Sequence, residues 1–328
     1  MSKVLFINTA WDPADCSRRQ AEAINKCSEL WTSRHIRITP TFYNDYDVTA
    51  NNYNRDEFVS LIEEADILHF CGGYVPEYKH LHEFNKKFDA KFNWGFEWYP
   101  MIKKKTKIFH DYCSWDNHWG THSDSGKFID MKDDIKYDAI FSSVPQASTF
   151  IYDCKYIPDV VNIDKYAPVN IEDSKVVISH FPTGGGNRKN TVEFKQGIAD
   201  LPNDIVMNET GANRHEEIID LKKQSTMGFD AIWRGFHGAT TVENLAMGIP
   251  TMVGQDETFK FLFSKFFDTS VYPFEIVQTA EDIHNTIVTY NNNPDAFVAR
   301  RKLVRRFMET RSNEKTISDA IVKEYEKL

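Results

Sequence analysis

The stretch that decides the fold spans residues 235–250 and reads GFHGATTVENLAMGIP. A glycine-containing turn leads into a predicted helix, Thr240 to Met247, which stops at Gly248-Ile249-Pro250. The apolar run Thr251-Met252-Val253 follows directly and is typical of a strand. A turn, a helix and a short apolar strand in this order indicate one repeat of an α/β domain.

The same alternation extends over the rest of the chain. Short apolar runs predict strands at residues 4–7, 36–38, 67–70, 108–109, 139–141 and 156–157, and then at 175–180, 205–207, 229–232 and 251–253. Helical patterns lie between them at 17–30, 55–65, 191–200, 215–226 and 240–247. Because the strand runs are apolar on both faces, we expect parallel sheets covered by helices, in two doubly wound Rossmann-like units.

A polar, proline-containing stretch at 164–170 separates the two series. We therefore predict a first domain over residues 1–168 and a second over 169–311, each of ordinary domain size. Residues 312–328 form a predicted amphipathic helix, in which Ile317, Ile321 and Tyr325 recur at helical spacing.

Composition excludes several classes of protein. The 328 residues include 48 Asp and Glu against 39 Lys and Arg, and the net charge of −9 argues against general affinity for nucleic acid. No apolar run approaches the roughly 20 residues of a membrane span, and the N-terminal stretch MSKVLFINTAWDP has no cleavage region, so we expect a cytoplasmic protein. The five cysteines form no CxxC pair, which argues against a disulfide framework and a thiolate zinc site.

The turn before the predicted helix is a candidate anion site. Its glycine, Gly238, precedes the backbone N–H groups of Ala239, Thr240 and Thr241, which the positive end of the helix dipole makes attractive to a phosphate. One turn further on, Glu243 can accept hydrogen bonds from a pair of ribose hydroxyls. The alternative is a capped helix on which Glu243 is a solvated charge.

A second candidate is the loop His180–Thr191, HFPTGGGNRKNT, which follows the first strand of the second series. Its glycines, including Gly185 and Gly186, let the backbone approach a ligand closely, and Arg188 and Lys189 supply positive charge for phosphates. The spacing fits neither a Walker A loop nor a G-x-G-x-x-G fingerprint. The alternative is a flexible surface loop.

A third candidate lies in the first domain, where His110 and Asp111 end a predicted strand. Ligands of open α/β sheets bind at the carboxyl edge, so these side chains are candidate contacts for a substrate. Ordinary polar residues at a strand end are the alternative. A pair of histidines, His118 and His122, has the spacing of metal ligands on a helix, but Gly120 indicates a loop, and we predict no metal site.

Residues 235–250 resemble the C-terminal-domain signature of retaining GT-B glycosyltransferases, an E-x7-E motif that ends in Ala-x-Gly-x-Pro. Glu243 matches the second Glu, whereas Gly235 stands in place of the first. Gly238 matches the glycine whose neighbours bind the donor diphosphate, and Lys189 matches a diphosphate-binding lysine. The resemblance implies that two Rossmann-like domains face each other across a cleft and that the last helix packs back on the first domain.

The resemblance also implies a function and the residues that perform it. The expected reaction moves a hexose or pentose from a nucleotide-diphosphate sugar, such as a UDP-sugar, to a hydroxyl acceptor, by default a saccharide or glycoside, with retention and without metal or cofactor. His110, Asp111 and Lys189 are the expected catalytic residues. The first loop and helix, with Asp12, Arg18 and Arg19, would approach the acceptor.

Other functions stay open at this point. A His-Asp pair at this strand end also resembles phage DNA glucosyltransferases, which act on hydroxymethylated bases, and the basic and aromatic region 86–105 suits such an acceptor. The missing first Glu is compatible with a protein that binds a nucleotide sugar without turnover. A GT-B epimerase has no distinguishing residues here. The base, the sugar, the acceptor and the oligomeric state are not predicted.

Overall fold

The structure is a computed structural model that describes residues 1–8, 15–37, 55–71, 102, 104–111, 137–145, 153–182, 189–202, 204–207, 215–232 and 238–328. The chain divides into two compact units, of which the first combines Met1–Asp159 with Glu314–Leu328 and the second is Val160–Asn313. Residues 160–168, which the sequence analysis places in the first domain, thus group with the second unit.

Strands and helices alternate along the described residues. The strands are β1 (Ser2–Asn8), β2 (Trp31–Arg37), β3 (Ile67–Cys71), β4 (Thr106–Asp111), β5 (Ala139–Ser142), β6 (Cys154–Tyr156), β7 (Val177–His180), β8 (Asp204–Met207), β9 (Met227–Phe229), β10 (Thr251–Val253) and β11 (Glu275–Ile276). The helices are α1 (Cys16–Cys27), α2 (Arg55–Glu64), α3 (Thr191–Ile198), α4 (His215–Lys222), α5 (Ala239–Ala246), α6 (Glu257–Phe267), α7 (Ala280–Asn292), α8 (Pro294–Thr310) and α9 (Glu314–Tyr325). None of these helices in the described ranges is long and apolar enough to cross a membrane.

Each unit contains a parallel sheet. Within the described residues, the first sheet has the order β2-β1-β3-β4-β5-β6 and the second the order β11-β10-β9-β7-β8. Strands β3 and β9 are buried along their whole length, as expected for a sheet covered on both faces. In both sheets the strand order reverses direction next to the first strand, between β1 and β3 and between β7 and β9. Such a switch point leaves a crevice at the carboxyl ends of the two strands.

The last helix completes the first unit. Ile317 and Ile321 on α9 are fully buried, and the rings of Trp31 and Tyr325 lie 5.1 Å apart. At the start of α9, Glu314 accepts a hydrogen bond from Lys26 Nζ at the end of α1, 2.6 Å away. Helix α9 therefore supplies core residues to a sheet whose strands come from the other end of the chain.

Helix α5 ends as the sequence predicts, at a glycine. Gly248 has φ +73°, and the N–H groups of Gly248 and Ile249 donate to the carbonyls of Leu245 and Asn244 at 3.0 and 2.9 Å. This is a Schellman motif, which satisfies carbonyls that the helix end would leave unpaired. The buried Arg301 of α8 donates from Nε to the Gly248 carbonyl, 3.2 Å away, which adds positive charge at this helix end.

The strand predicted at 229–232 lies two to three residues earlier in the chain than expected. Strand β9 occupies Met227–Phe229 and ends before Asp230. Gly228 fits inside this strand because a Cβ there would lie 2.4 Å from Asn244 Nδ2, so only glycine allows α5 to approach this closely. Directly after the strand, the Asp230 carboxylate accepts hydrogen bonds from the start of α5, while its backbone N–H donates to the Met252 carbonyl at 3.1 Å.

Candidate functional site

The candidate site in the second unit lies at the switch point between β7 and β9. Strand β7 ends at His180, whose Nδ1 lies 3.2 Å from the carbonyl oxygen of Phe229, the last residue of β9. Since a carbonyl only accepts, Nδ1 donates to it, and Nε2 lies 2.9 Å from the Thr191 hydroxyl. His180 thereby ties the ends of both strands to the start of α3.

Asp230 is the centre of this site. One carboxylate oxygen accepts from Lys189 Nζ, and the other accepts from the Gly238 N–H and the Thr241 hydroxyl, both 2.9 Å away. Burial alone would raise the pKa of Asp230, but the charge of Lys189 and these hydrogen bonds outweigh it and hold the pKa well below its ordinary value. The aspartate is therefore ionised and fixes a cation beside the N-terminus of α5.

A side chain at Gly238 would crowd the Asp230 carboxylate. A Cβ at Gly238 would lie 3.3 Å from Asp230 Oδ2 and 3.5 Å from Lys189 Nζ. The backbone N–H groups of Ala239 and Thr240 donate to no group among the described residues, as is usual in the first turn of a helix. The Thr241 N–H differs from the prediction, because it donates to the Gly238 carbonyl at 3.0 Å. Lys189 and the N-terminus of α5 thus meet at Asp230, and a cation beside a helix N-terminus suits an anion.

Glu243 is buried rather than solvated, so the alternative of a solvated charge is wrong. Its Oε1 accepts from the Tyr166 hydroxyl at 3.1 Å and contacts His215 Nε2 at 2.8 Å, while Oε2 accepts from Lys222 Nζ at 2.6 Å. The Lys222 side chain is 1% exposed and that of Glu243 is 5% exposed. Removing one partner of such a buried pair costs about 3–5 kcal/mol, so Lys222 and Glu243 depend on each other for stability.

The sequence analysis missed four residues of this site. Asp230 was assigned to the interior of a strand, and Tyr166, His215 and Lys222 were not singled out. The usable signal was a charged residue, Asp230, directly after a buried strand at the carboxyl edge of a parallel sheet. The contacts of Tyr166 and Lys222 with Glu243 span 77 and 21 positions, so no local pattern marks them.

In the first unit, His110 is fully buried near the end of β4, opposite Cys71 of β3 in the register of the sheet. Its Nδ1 lies 3.2 Å from Nε2 of His69. Asp111 is the last residue of β4, and its side chain lies outside what the structure describes. The prediction that both residues reach the carboxyl edge of the sheet agrees with their strand positions.

The acceptor-side residues are only partly described. Arg18 pairs with Asp15, which precedes α1, and with Glu22 at 3.5 Å, and Arg19 is half-buried in α1. In the basic region, Lys105 donates to the carbonyls of Glu63 and Ala65 at 2.6 and 2.7 Å, so its charge stabilises the end of α2.

Other predicted site residues lie outside the described residues. They are Asp12, Gly185, Gly186, Arg188, Gly235, His118, His122 and most of residues 86–105. Among the residues that the structure describes, no three His, Cys, Asp or Glu side chains are placed to hold a metal ion.

Comparison with known proteins identifies the fold. No protein family and no curated protein matches the sequence. Solved structures do match over the whole chain. Anabaena HepE in complex with UDP and glucose has a TM-score of 0.66 at 13% identity, and the match covers 100% of this chain and 100% of that one. Sucrose-phosphate synthase from Thermosynechococcus elongatus has a TM-score of 0.64 at 12% identity, covering 100% of this chain and 99% of that one.

A glycosyltransferase from Rickettsia africae is similar too, with a TM-score of 0.63 at 12% identity, covering 99% of this chain and 98% of that one. Together with the two parallel sheets, this likeness shows that the chain adopts the two-domain GT-B fold. The expectation of two Rossmann-like α/β domains is thereby confirmed.

Proposed function

We propose that the protein is a glycosyltransferase that moves a hexose or pentose from a UDP-sugar to a hydroxyl group of a saccharide or glycoside. The observation that carries the proposal is the convergence of Lys189 and the N-terminus of α5 on Asp230, at the switch point of the second sheet. Ligands of open α/β sheets bind at such points. The binding of UDP and of UDP-glucose by HepE supports a uridine diphosphate as the donor nucleotide.

The chemistry of the reaction explains why these groups are needed. The bond between the anomeric carbon and the diphosphate breaks, and negative charge grows on the departing UDP. The Lys189 ammonium and the amides of Ala239 and Thr240 would stabilise that charge, and because they are held in place beforehand they need no reorganisation. The acceptor oxygen then bonds to the anomeric carbon, in our proposal with retention and without a metal ion or cofactor.

The remaining proposed roles follow the two units. In the second unit, Glu243 would accept hydrogen bonds from the ribose hydroxyls, and its bond to Lys222 would hold the carboxylate in place for that task. In the first unit, His110 and Asp111 would contact the transferred sugar and the acceptor, with Arg18 and Arg19 on the acceptor side.

The diphosphate site is tested by removing its cation. Lys189→Met should weaken UDP binding about 10- to 100-fold, the effect of losing one hydrogen bond to a charged group, and should lower UDP release from UDP-sugars by at least as much. Lys195→Met is the matched control. Lys195 is an exposed lysine on α3, so this substitution removes the same charge from the same region. Calorimetric titration with UDP and a panel of UDP-sugars in a UDP-release assay measure both effects.

The outcomes separate the proposal from its alternatives. Stabilisation against heat by UDP, but not by GDP or ADP, supports the donor, and stabilisation by none of the three overturns the nucleotide site. UDP binding without release from any donor, with saccharides present, overturns the transferase and leaves a binding protein. Turnover that EDTA abolishes contradicts the metal-free mechanism.

Glu243→Gln should weaken UDP binding but not pyrophosphate binding, because pyrophosphate has no ribose. Equal losses for both ligands would contradict the ribose role of Glu243.

A further inference from the structure

Three side chains in the first unit form a continuous buried chain of hydrogen bonds. The Tyr325 hydroxyl on α9 lies 2.6 Å from Nδ1 of His69 on β3, and Nε2 of the same ring lies 3.2 Å from Nδ1 of His110. The two imidazole rings are inclined by only 21°, which suits a bond in the ring plane between their nitrogens. His69 and His110 are both fully buried, and Tyr325 is 2% exposed.

Both imidazoles are neutral. Burial lowers the pKa of His69 to about 3, and burial together with the charge that His69 would carry lowers the pKa of His110 well below its ordinary value. The surroundings are aromatic, since the His69 ring stacks on Phe6 at 4.4 Å and Phe141 contacts both imidazoles edge-on. A neutral imidazole has one nitrogen that donates and one that accepts, so each ring can adopt one of two tautomers.

The hydrogen bond from the Tyr325 hydroxyl determines the tautomer of His69. Within the described residues its hydrogen-bond partner is His69 Nδ1, and a hydroxyl that accepted there would leave its own hydrogen buried without an acceptor. Cys71 interacts electrostatically with Tyr325, but its thiol donates to the His69 carbonyl and its sulfur is a weak acceptor. Tyr325 therefore donates, and Nδ1 of His69 accepts.

This bond also determines which ring nitrogens of His69 and His110 carry hydrogen. His69 must carry its hydrogen on Nε2, which points to Nδ1 of His110, so His110 accepts there and carries its own hydrogen on Nε2. We infer that Tyr325 and His69 are positioning residues that hold His110 as the neutral Nε2–H tautomer, so that His110 offers a hydrogen-bond donor, not a base, to an oxygen of the bound sugar. The tautomer follows from the hydrogen-bond geometry of two buried, neutral rings, and the role towards a sugar rests on the proposed function.

The tautomer is measured directly by NMR on the full chain with 15N-labelled histidine. Two-bond 1H–15N correlation spectra separate protonated from bare ring nitrogens, and the loss of one set of signals in His110→Gln assigns His110. We expect a protonated Nε2 and a bare Nδ1 in the unmodified protein. A protonated Nδ1 would overturn the inference without any variant that risks misfolding.

Tyr325→Phe tests the source of the preference. Without the hydroxyl, His69 loses its donor to Nδ1, and both ring nitrogens of His110 should move to the intermediate shifts of a tautomer mixture. Tyr272→Phe is the control, because it removes a hydroxyl that bonds Ser264 in the second unit and should leave the His110 signals unchanged. Signals of His110 that stay the same in Tyr325→Phe contradict the role of Tyr325.

Activity separates this inference from the proposed function. Tyr325→Phe should lower kcat for UDP release about tenfold and leave the affinity for UDP unchanged, because UDP contacts only the second unit in the proposal. The expected spectra in a protein that releases no UDP would refute the glycosyltransferase and leave the tautomer in place. Unchanged kcat with an altered tautomer would refute the donor role of His110.

Discussion

At the scale of single residues, Asp230 joins groups that lie far apart in the sequence. Its bonds reach back to Lys189, 41 positions earlier, and forward to Gly238 and Thr241, 8 and 11 positions later. One buried carboxylate therefore sets the distance between the proposed phosphate-binding cation and the helix that supplies the amides. In the proposed function, a bound diphosphate would share Lys189 with Asp230.

Asp230→Asn should remove a pH-dependent part of the stability. The pKa of Asp230 lies below its unfolded value of about 3.9, so its stabilisation is fully present above about pH 4 and is lost as the pH falls through the folded-state pKa. We expect the variant to lose about 2–3 kcal/mol of unfolding free energy at neutral pH and less at about pH 3. Urea denaturation at both pH values measures the difference.

Asp204→Asn is the matched control for this experiment. Asp204 pairs with Lys175, but both side chains are about two-thirds exposed, so this substitution should change stability by less than about 0.5 kcal/mol. The buried ionised carboxylate would be contradicted if Asp230→Asn lost the same unfolding free energy at both pH values. A loss no larger than that of Asp204→Asn would contradict it as well.

At the scale of elements, α5 is fixed at its start by Asp230 and at its end by Gly248. The positive φ of Gly248 allows the Schellman motif, and the next residues lead at once into β10. Helix α5 packs so close to β9 that Gly228 has no room for a side chain. Helix α5 is therefore held by a side-chain carboxylate at its start and by backbone geometry at its end.

Gly248→Ala should destabilise the protein more than Gly248→Asn. An alanine at φ +73° costs about 1–2 kcal/mol, whereas asparagine tolerates the left-handed region better. Both variants place a Cβ 3.3 Å from Ile171, so their difference isolates the backbone term. Chemical denaturation of the two proteins measures it, and equal losses would show that the contact with Ile171 dominates.

Sequence reasoning works well for α5 and poorly for its surroundings. The helix was predicted at Thr240–Met247 and lies at Ala239–Ala246, because glycine and proline mark its ends locally. The strand before it is predicted at 229–232 but lies at Met227–Phe229 and includes Gly228. The need for glycine there comes from a contact with Asn244, 16 positions away, which no local pattern shows. The partners of Glu243 were missed for the same reason, since burial and long-range pairing leave no periodic signal.

At the scale of the whole molecule, the first unit is built from two distant segments of the chain. Residues Met1–Asp159 provide the sheet, and Glu314–Leu328 provide α9 with Tyr325. A change on α9 should therefore affect the N-terminal sheet rather than the neighbouring helix α8 in the chain.

Ile321→Ala on α9 tests this arrangement. Ile321 is fully buried, so the loss of its side chain should cost about 2–5 kcal/mol and should speed hydrogen exchange in β1, β2 and β3. Amides of β7, β9 and β10 should keep their exchange rates. Val322→Ala is the control, because Val322 is only half-buried and should have a smaller effect. Faster exchange confined to the second unit would contradict the assignment of α9.

The position of α9 also determines the order in which the chain can fold during synthesis. The ribosome completes Val160–Asn313 before it makes the helix that the N-terminal sheet needs, and at 5–20 residues per second this delay is roughly 8–30 s. During that time Trp31 and the face of α1 that packs on α9 lack their cover. The first unit is thus completed after the second, and chaperones that shield apolar surface would be needed by its newly made N-terminal segment.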